Sequence, residues 1–388
     1  MKILLVINSI RISGSEKLML ALSKELSRSG YEFWIYPLIT PFDEDFRKSI
    51  ETDGFRLNIL VPGILLRNDR LFWRLNGLFT RLFKWNFRAW YMNRYVARKC
   101  QEIGIDLMVS NSYTTDVLAL KIHDRTGIPF VIVEHGAYSS FLVTHQSFDP
   151  APIEKSAEVV AVSNWSHRLL QHRFPGRNFV MIHNAFVATA RNENRKFKLP
   201  AGPFTFGMHG RDTEQKGWEL AIESYLQVRA AGFDARLVVL GEGPYLDTLK
   251  KRFRDRPDIV FAGLIYNIGD AISDIDAGLV LSKHFEAFGL SILDYFAAGK
   301  PVIAGKVGGI GEVMQVDDLR GGILVDADAG VPRVIEVVEA MKKLMVNKDL
   351  YAARARDAKL IVQKFDMKNC VEAYNELFKS VIDNEQPG

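Results

Sequence analysis

His284-Phe285-Glu286-Ala287-Phe288-Gly289-Leu290-Ser291-Ile292-Leu293-Asp294 follows a short apolar run at 278–281 and enters a helical pattern at 292–298. Two carboxylates, Glu286 and Asp294, stand eight positions apart and straddle the junction of loop and helix. Between them, the amides around Phe288, Gly289 and Leu290 open a helix. Backbone N–H groups there lack intrahelical acceptors and are free to bind hydroxyl or phosphate oxygens. Downstream come Ala297-Ala298-Gly299-Lys300-Pro301-Val302-Ile303-Ala304 and the glycine-rich turn Gly308-Gly309-Ile310-Gly311-Glu312. Strand, ligand-bearing turn and helix in that order form a parallel α/β unit, whose binding groups collect at the carboxyl ends of its strands.

The same unit recurs along the whole chain. Strands read at 3–7, 32–38, 107–110, 130–134 and 159–162, and a second series at 205–209, 236–240, 259–261, 278–281 and 301–304. Helical patterns such as 16–29, 218–231 and 292–298 lie among them. Short apolar runs alternating with helical periodicity are the mark of parallel sheets covered by helices. A polar segment with two prolines, 188–203, separates the two series and reads as a linker. At 388 residues the chain is also too long for one comfortable core. The expected architecture is α/β, with two Rossmann-like parallel-sheet domains facing a central cleft. Residues 1–187 form the first domain and 204–366 the second. A last amphipathic helix within 367–388 packs back on the first.

Composition removes several classes. Apolar residues make up 48% of the chain and charged ones 25%, an ordinary globular balance. Cys100 and Cys370 are the only cysteines, far apart and without metal-ligand spacing, which argues against a disulfide scaffold and fits a reducing compartment. The N-terminal apolar run is too short for a signal peptide. No run approaches the ~18 apolar residues of a membrane span. The expected location is cytoplasmic.

Three further loops invite a chemical reading. Gly210-Arg211-Asp212-Thr213-Glu214-Gln215-Lys216-Gly217 follows a strand and precedes a helix, and Arg211 and Lys216, five apart, can converge on a diphosphate. Two cations on a solvated turn would look the same. Gly241-Glu242-Gly243-Pro244, after the next strand, lets backbone approach a ligand closely, a weak signal alone. Ser13-Gly14-Ser15-Glu16 places small groups at a helix start, either to meet a ligand or simply as an N-cap.

Together these stretches resemble the retaining glycosyltransferases of the GT-B fold known as family 4. The family carries an acid, a Phe-Gly-Leu turn and a second acid, then an Ala-x-Gly-x-Pro-Val-Ile segment. Ser13-Gly14-Ser15-Glu16 is similar to its Gly-Gly-x-Glu loop, with Ser13 in place of the first glycine. Ala161-Val162-Ser163-Asn164-Trp165-Ser166 and Ile182-His183-Asn184-Ala185 resemble its runs near the end of the first domain. The resemblance implies that Arg211 and Lys216 neutralise the donor diphosphate, that Glu286 touches the donor sugar, and that the Phe288, Gly289 and Leu290 amides hold its hydroxyls and phosphate. It implies donor contacts for Gly14 and Gly241, and places His135, in Glu134-His135-Gly136, over the reacting sugar. Read alone, that histidine is better explained as a structural hydrogen-bonder, a preference the resemblance reverses. Asp294 stands where the family has a ribose-binding Glu, one methylene longer. The implied activity is a metal-independent, retaining transfer of a hexose-type sugar from a GDP- or UDP-sugar to a lipid-linked or saccharide acceptor, in surface polysaccharide or glycolipid assembly. No cofactor is expected. A nucleotide-sugar epimerase of the same architecture, or a catalytically weak nucleotide-sugar-binding partner, stands as the alternative.

Two Asp-x-Asp patterns, Asp43-Glu44-Asp45 and Asp274-Ile275-Asp276, match the metal-binding signature of other transferases but read better as solvated or capping acids. Residues 67–99 carry nine basic side chains against one acid, a local excess of eight that leaves the rest of the chain at −4 within a total of +4. Leu71, Phe72, Leu75, Leu78, Phe79, Leu82 and Phe83 recur at helical spacing, with Arg74, Arg81, Lys84 and Arg88 opposite. A helix packed on the first domain would show this pattern. So would one docked on an anionic membrane surface, the reading preferred for a chain whose relatives glycosylate lipid-linked acceptors. That places the protein peripherally on the inner face of the cell membrane. Nothing else in the sequence supports a nucleic-acid partner.

Overall fold

A computed structural model describes residues 1–11, 13–39, 42–51, 55–62, 81, 87–188 and 198–385. These fold as two units. Described residues of 1–162, 167–183 and 368–388 make the first, and those of 163–166 and 184–367 the second. Of the segment 188–203, residues 189–197 lie outside the described residues.

Among the described residues the first unit holds a seven-stranded sheet. Its strands are β1 (Lys2–Ser9), β2 (Glu32–Ile39), β3 (Asn58–Ile59), β4 (Leu107–Ser110), β5 (Phe130–Glu134), β6 (Glu158–Ala161) and β7 (Val180–Met181). They lie in the order β3-β2-β1-β4-β5-β6-β7, with parallel pairings throughout. Near-continuous apolar strands such as Phe130–Glu134 follow from burial on both faces by crossover helices. Leu4, Met108, Ile132 and Val159 are fully buried at the centre.

The second unit repeats the design with β8 (Phe204–His209), β9 (Ala235–Leu240), β10 (Ile259–Gly263), β11 (Ala277–Val280) and β12 (Val302–Gly305). A hairpin of β13 (Gln315–Val316) and β14 (Leu319–Arg320) leads to the edge strand β15 (Gly322–Val325). The parallel sheet runs β10-β9-β8-β11-β12-β15. Trp218 and Tyr225, on the helix Trp218–Ala230, fill the core beside Phe206 and Leu237. In each sheet the strand order reverses next to the first strand, between β1 and β4 and between β8 and β11. Chain leaving those strands departs in opposite directions, so a crevice opens at their carboxyl ends. The loops after β8 and β11 are those that carry Arg211, Lys216 and Glu286.

The ten strands expected from sequence all form, within a residue or two at their ends. The two-residue strands β3 and β7 and the hairpin were missed, because two residues cannot display a period, and the four-residue edge strand β15 was missed as well. Both Asp-x-Asp runs have backbone duties. Asp43 caps the helix Glu44–Ile50 by accepting from the Phe46 amide at 2.9 Å. Asp276 accepts from the Thr205 amide at 2.8 Å, and Asp274 from that of Leu199 at 2.9 Å.

The last helix, Met367–Glu385, packs in the first unit. There the Tyr31 hydroxyl donates to Asn375 Oδ1 at 2.6 Å and the Tyr31 ring meets Phe378 edge-on at 6.1 Å. Phe378 is almost wholly buried. Phe378→Ala is expected to cost about 3 kcal/mol from the cavity it leaves. A lowered urea midpoint checks this, and an unchanged midpoint would place the helix outside the core of that unit.

Candidate donor-binding site

β8 ends at His209, and the chain turns through Gly210-Arg211-Asp212 into a 3-10 turn, Glu214–Lys216, before the helix Trp218–Ala230. β11 ends at Val280 and runs out through Ser282 to Glu286. Backbone contacts stitch the two loops together. The Lys283 amide donates to Gln215 O at 2.7 Å, and Gln215 Nε2 donates to Phe285 O at 2.6 Å. Gly217 makes this approach possible. Its φ is 79°, and a Cβ there would lie 2.0 Å from the Leu281 carbonyl oxygen. On the other side the Gly309 amide donates to Glu286 O at 2.8 Å.

This clasp delivers Lys216 to Glu286. Lys216 Nζ lies 2.6 Å from Glu286 Oε2, and Ser282 Oγ donates to the same oxygen at 2.7 Å. Both charged side chains are only 16% exposed. Burial by itself would raise the Glu286 carboxyl, but the Lys216 charge and hydrogen bond, the Ser282 hydroxyl and the Arg211 charge together hold it below the ordinary glutamate value. Glu286 is therefore ionised at neutral pH, able to accept hydrogen bonds but not to give a proton. Arg211 is exposed, and its side chain makes no hydrogen bond or ion pair among the described residues. The two cations thus differ: Lys216 is built into the loop clasp, and Arg211 projects from it.

The Gly241-Glu242-Gly243-Pro244 turn is organised from within. Asp212 accepts from the Leu246 amide at 2.7 Å and the Tyr245 amide at 3.1 Å, capping the helix Pro244–Arg252. The Gly241 amide donates to Gly263 O at 2.9 Å. Those groups answer the amides that an incoming phosphate would have used. The free donors lie at the helix Leu290–Ala297 instead, where Gly289 is the N-cap. No described residue accepts from the Gly289 or Leu290 amides. Phe288 is buried, its ring edge-on to Phe365 at 5.4 Å, so its side chain belongs to the core. One turn along, Asp294 Oδ2 lies 3.5 Å from Nε2 of His209. Lys216, Arg211, Glu286, Asp294 and the Gly289 and Leu290 amides all belong to the loops and helices leaving β8 and β11.

Gly14 and His135 belong to the first unit. Gly14 opens the helix Gly14–Ser27, whose N-cap Ser13 accepts from the Glu16 amide at 3.4 Å. Buried Glu16 takes hydrogen bonds from the Ser13 and Ser15 hydroxyls. His135 directly follows β5, half-buried, and its Nε2 has no hydrogen-bond partner among the described residues. Desolvation pushes the imidazole down to about 4, so it is neutral at physiological pH. Of the basic stretch, Arg74 and Lys84 lie outside the described residues, as does the Arg88 side chain, and Arg81 is exposed.

Sequence reading missed His209, Ser282 and Gln215. His209 ends a strand directly before Gly210, a position open to a ligand-edge search. Gln215 acts through a contact that crosses 70 residues of sequence, and Ser282 reaches Glu286 only four residues on, with no pattern that signals either.

Comparison with known proteins agrees with this architecture. Residues 12–188 match the family model described as Glycosyltransferase Family 4, and residues 203–347 that described as Glycosyl transferases group 1. The lipopolysaccharide 1,2-N-acetylglucosaminetransferase of Salmonella typhimurium is 22% identical over 264 residues, 62% of this chain and 66% of that protein. A GDP-mannose-dependent alpha-(1-6)-phosphatidylinositol monomannoside mannosyltransferase of Mycobacterium tuberculosis is 30% identical over 177 residues, 41% of this chain and 43% of its own length. In structure the chain is similar to Anabaena HepE in complex with UDP and glucose, with a TM-score of 0.74 at 19% identity, covering 98% of this chain and 100% of that one. The two doubly wound sheets and the two matched models, one on each, make this chain a member of the group 1, family 4 glycosyltransferases of the GT-B fold.

Proposed function

We propose that this glycosyltransferase moves a hexose-type sugar, with retention of anomeric configuration, from a UDP- or GDP-sugar to a saccharide or lipid-linked acceptor in surface polysaccharide or glycolipid assembly. The observation that carries the reading is the mostly covered Lys216–Glu286 pair with Arg211 exposed beside it, at the carboxyl ends of β8 and β11. The matched lipopolysaccharide and phosphatidylinositol mannoside transferases support the choice of acceptor class.

In this reading Arg211 and Lys216 bind the donor diphosphate and stabilise the charge that grows on it as the bond from anomeric carbon to phosphate oxygen breaks. Glu286 accepts from hydroxyls of the donor sugar, and the Gly289 and Leu290 amides bind its oxygens. The acceptor hydroxyl attacks from the face the phosphate leaves, through an oxocarbenium-like state. A new carbon–oxygen bond forms, and the hydroxyl proton passes to the departing phosphate oxygen. From the first unit the family resemblance assigns Gly14 to the diphosphate or acceptor and His135 to the reacting sugar. A neutral imidazole there offers a hydrogen bond rather than a charge. Asp294 takes the ribose, and Gly241 lines the donor side.

The two cations should respond differently to removal. Arg211→Ala is expected to slow transfer roughly 100-fold, the scale of one lost transition-state donor, with little change in stability. Lys216→Ala should slow transfer too, but it also strands a buried carboxylate and should cost about 3 kcal/mol. Steady-state rates and urea midpoints of both variants check this. A full-rate Arg211→Ala enzyme would remove that residue from the site.

Because two cations supply the electrostatic stabilisation, transfer should survive EDTA. Loss of turnover on chelation, restored by Mg²⁺ or Mn²⁺, would contradict the metal-free mechanism.

We also propose that the basic stretch holds the enzyme on an anionic membrane surface. No helix of the described residues is long and apolar enough to cross a membrane. Partly exposed Trp90, with the Arg94 guanidinium 5.2 Å over its ring, adds the pairing of aromatic and cation suited to an interface. Replacing Arg74, Arg81 and Arg88 together with Glu should abolish binding to vesicles containing anionic lipid while sugar-nucleotide binding persists. Equal vesicle binding by wild type and variant would make a soluble acceptor the better reading.

A further inference from the structure

The aspartate at position 294 is short for the task the donor-site reading gives it, and the structure sets a histidine against it. Relative to glutamate its carboxylate is drawn back by one carbon–carbon bond, about 1.5 Å. His209 Nε2 lies 3.5 Å from Asp294 Oδ2, close enough for an ion pair but not in hydrogen-bond geometry, and the two side chains are 13% and 19% exposed. The histidine is itself held. Its ring lies 5.4 Å from that of Tyr295, which is fully buried. Tyr295 can sit there because residue 278 on β11 is glycine: a Cβ would fall 2.5 Å from the tyrosine ring. His209 is the last residue of β8, so backbone pairing with Leu240 fixes its base as well.

We infer that His209 and Asp294 form one composite ribose-recognition element, in which His209 is a positioning residue for the shortened acid. The imidazole N–H faces Oδ2 and closes to a hydrogen bond when nucleotide binds, while the other carboxylate oxygen meets the ribose hydroxyls. A free aspartate at the mouth of a helix would sample several rotamers, and ordering it would cost part of the hydrogen-bond energy on binding. The neighbouring imidazole restricts those rotamers and so removes part of that cost beforehand, by the same logic that makes outer partners orient metal-ligating side chains. A glutamate would reach the hydroxyls unaided and need no such partner. The histidine and the short acid therefore belong together, and this rests on the donor-site reading above.

The test measures binding of UDP and GDP, and of their 2′-deoxy and 3′-deoxy forms, to the full chain by calorimetry. Wild type should bind a ribonucleotide about tenfold more tightly than a deoxy form, the scale of one hydrogen bond to a charged group. His209→Phe keeps a ring against Tyr295 but loses the donor, and should reduce this ratio to near one. His209→Gln retains a donor and should preserve the preference. Adding Asp294→Glu to His209→Phe should restore it, which a merely structural role for His209 would not do. Full discrimination by His209→Phe, or none by a wild type that binds nucleotide, overturns the inference alone. A wild type that binds no nucleoside diphosphate overturns the donor-site reading and the inference with it.

Discussion

The ion pair between Lys216 and Glu286 is the constraint on which the candidate site of the second unit depends. A lysine and a glutamate so little exposed are each costly to bury alone, and either one left unpaired would pull the loops apart to reach water. Paired at 2.6 Å, they hold the loop after β8 to the loop after β11. Those strands are adjacent in the sheet although about 70 residues separate them in sequence, with β9 and β10 between. The reversal of strand order makes the crevice, and the pair fixes what faces it. Gln215, through both its carbonyl and its side-chain amide, and Gly217, through its close approach to Leu281, reinforce the same seam.

The pair also settles protonation. A carboxyl this buried would ordinarily tend toward the neutral form, yet the neighbouring lysine, hydroxyl and arginine keep Glu286 ionised. An ionised acid beside a cation cannot serve as a proton donor, which steers the chemistry toward charge stabilisation and hydrogen bonding. His135, in the other unit, is driven to its neutral form by desolvation. Acid–base catalysis by a charged histidine is thus disfavoured at neutral pH. Both facts suit a reaction in which the departing diphosphate receives the proton.

Much of this was legible in the sequence, for identifiable reasons. Buried parallel strands must be apolar along their whole length, so ten of the eleven longer strands announced themselves, the edge strand β15 being the exception. Arg211, Lys216 and Glu286 sit directly after strands, where a doubly wound sheet presents its loops. What escaped was set by tertiary contact. The glycine-rich turn at 241–243 looked like a phosphate loop, but Asp212 reaches across and answers the helix amides itself. Lys216 read as a diphosphate ligand or an exposed cation on a turn, and its mostly covered pairing with Glu286 was not foreseen. Phe288 looked like part of a binding turn, and its ring proves to be core. His209 carried no motif at all, and only the packing of Tyr295 on Gly278 brings it to Asp294.

The central claim is that the groups at the ends of β8 and β11 receive a nucleoside diphosphate. A crystal structure of the protein grown with UDP or GDP tests it most directly. The account predicts diphosphate oxygens within hydrogen-bond distance of the Arg211 guanidinium and the Lys216 ammonium, with the Gly289 and Leu290 amides facing the ligand. A diphosphate bound elsewhere on the chain, with Lys216 still closed on Glu286 and Arg211 in solvent, would contradict it.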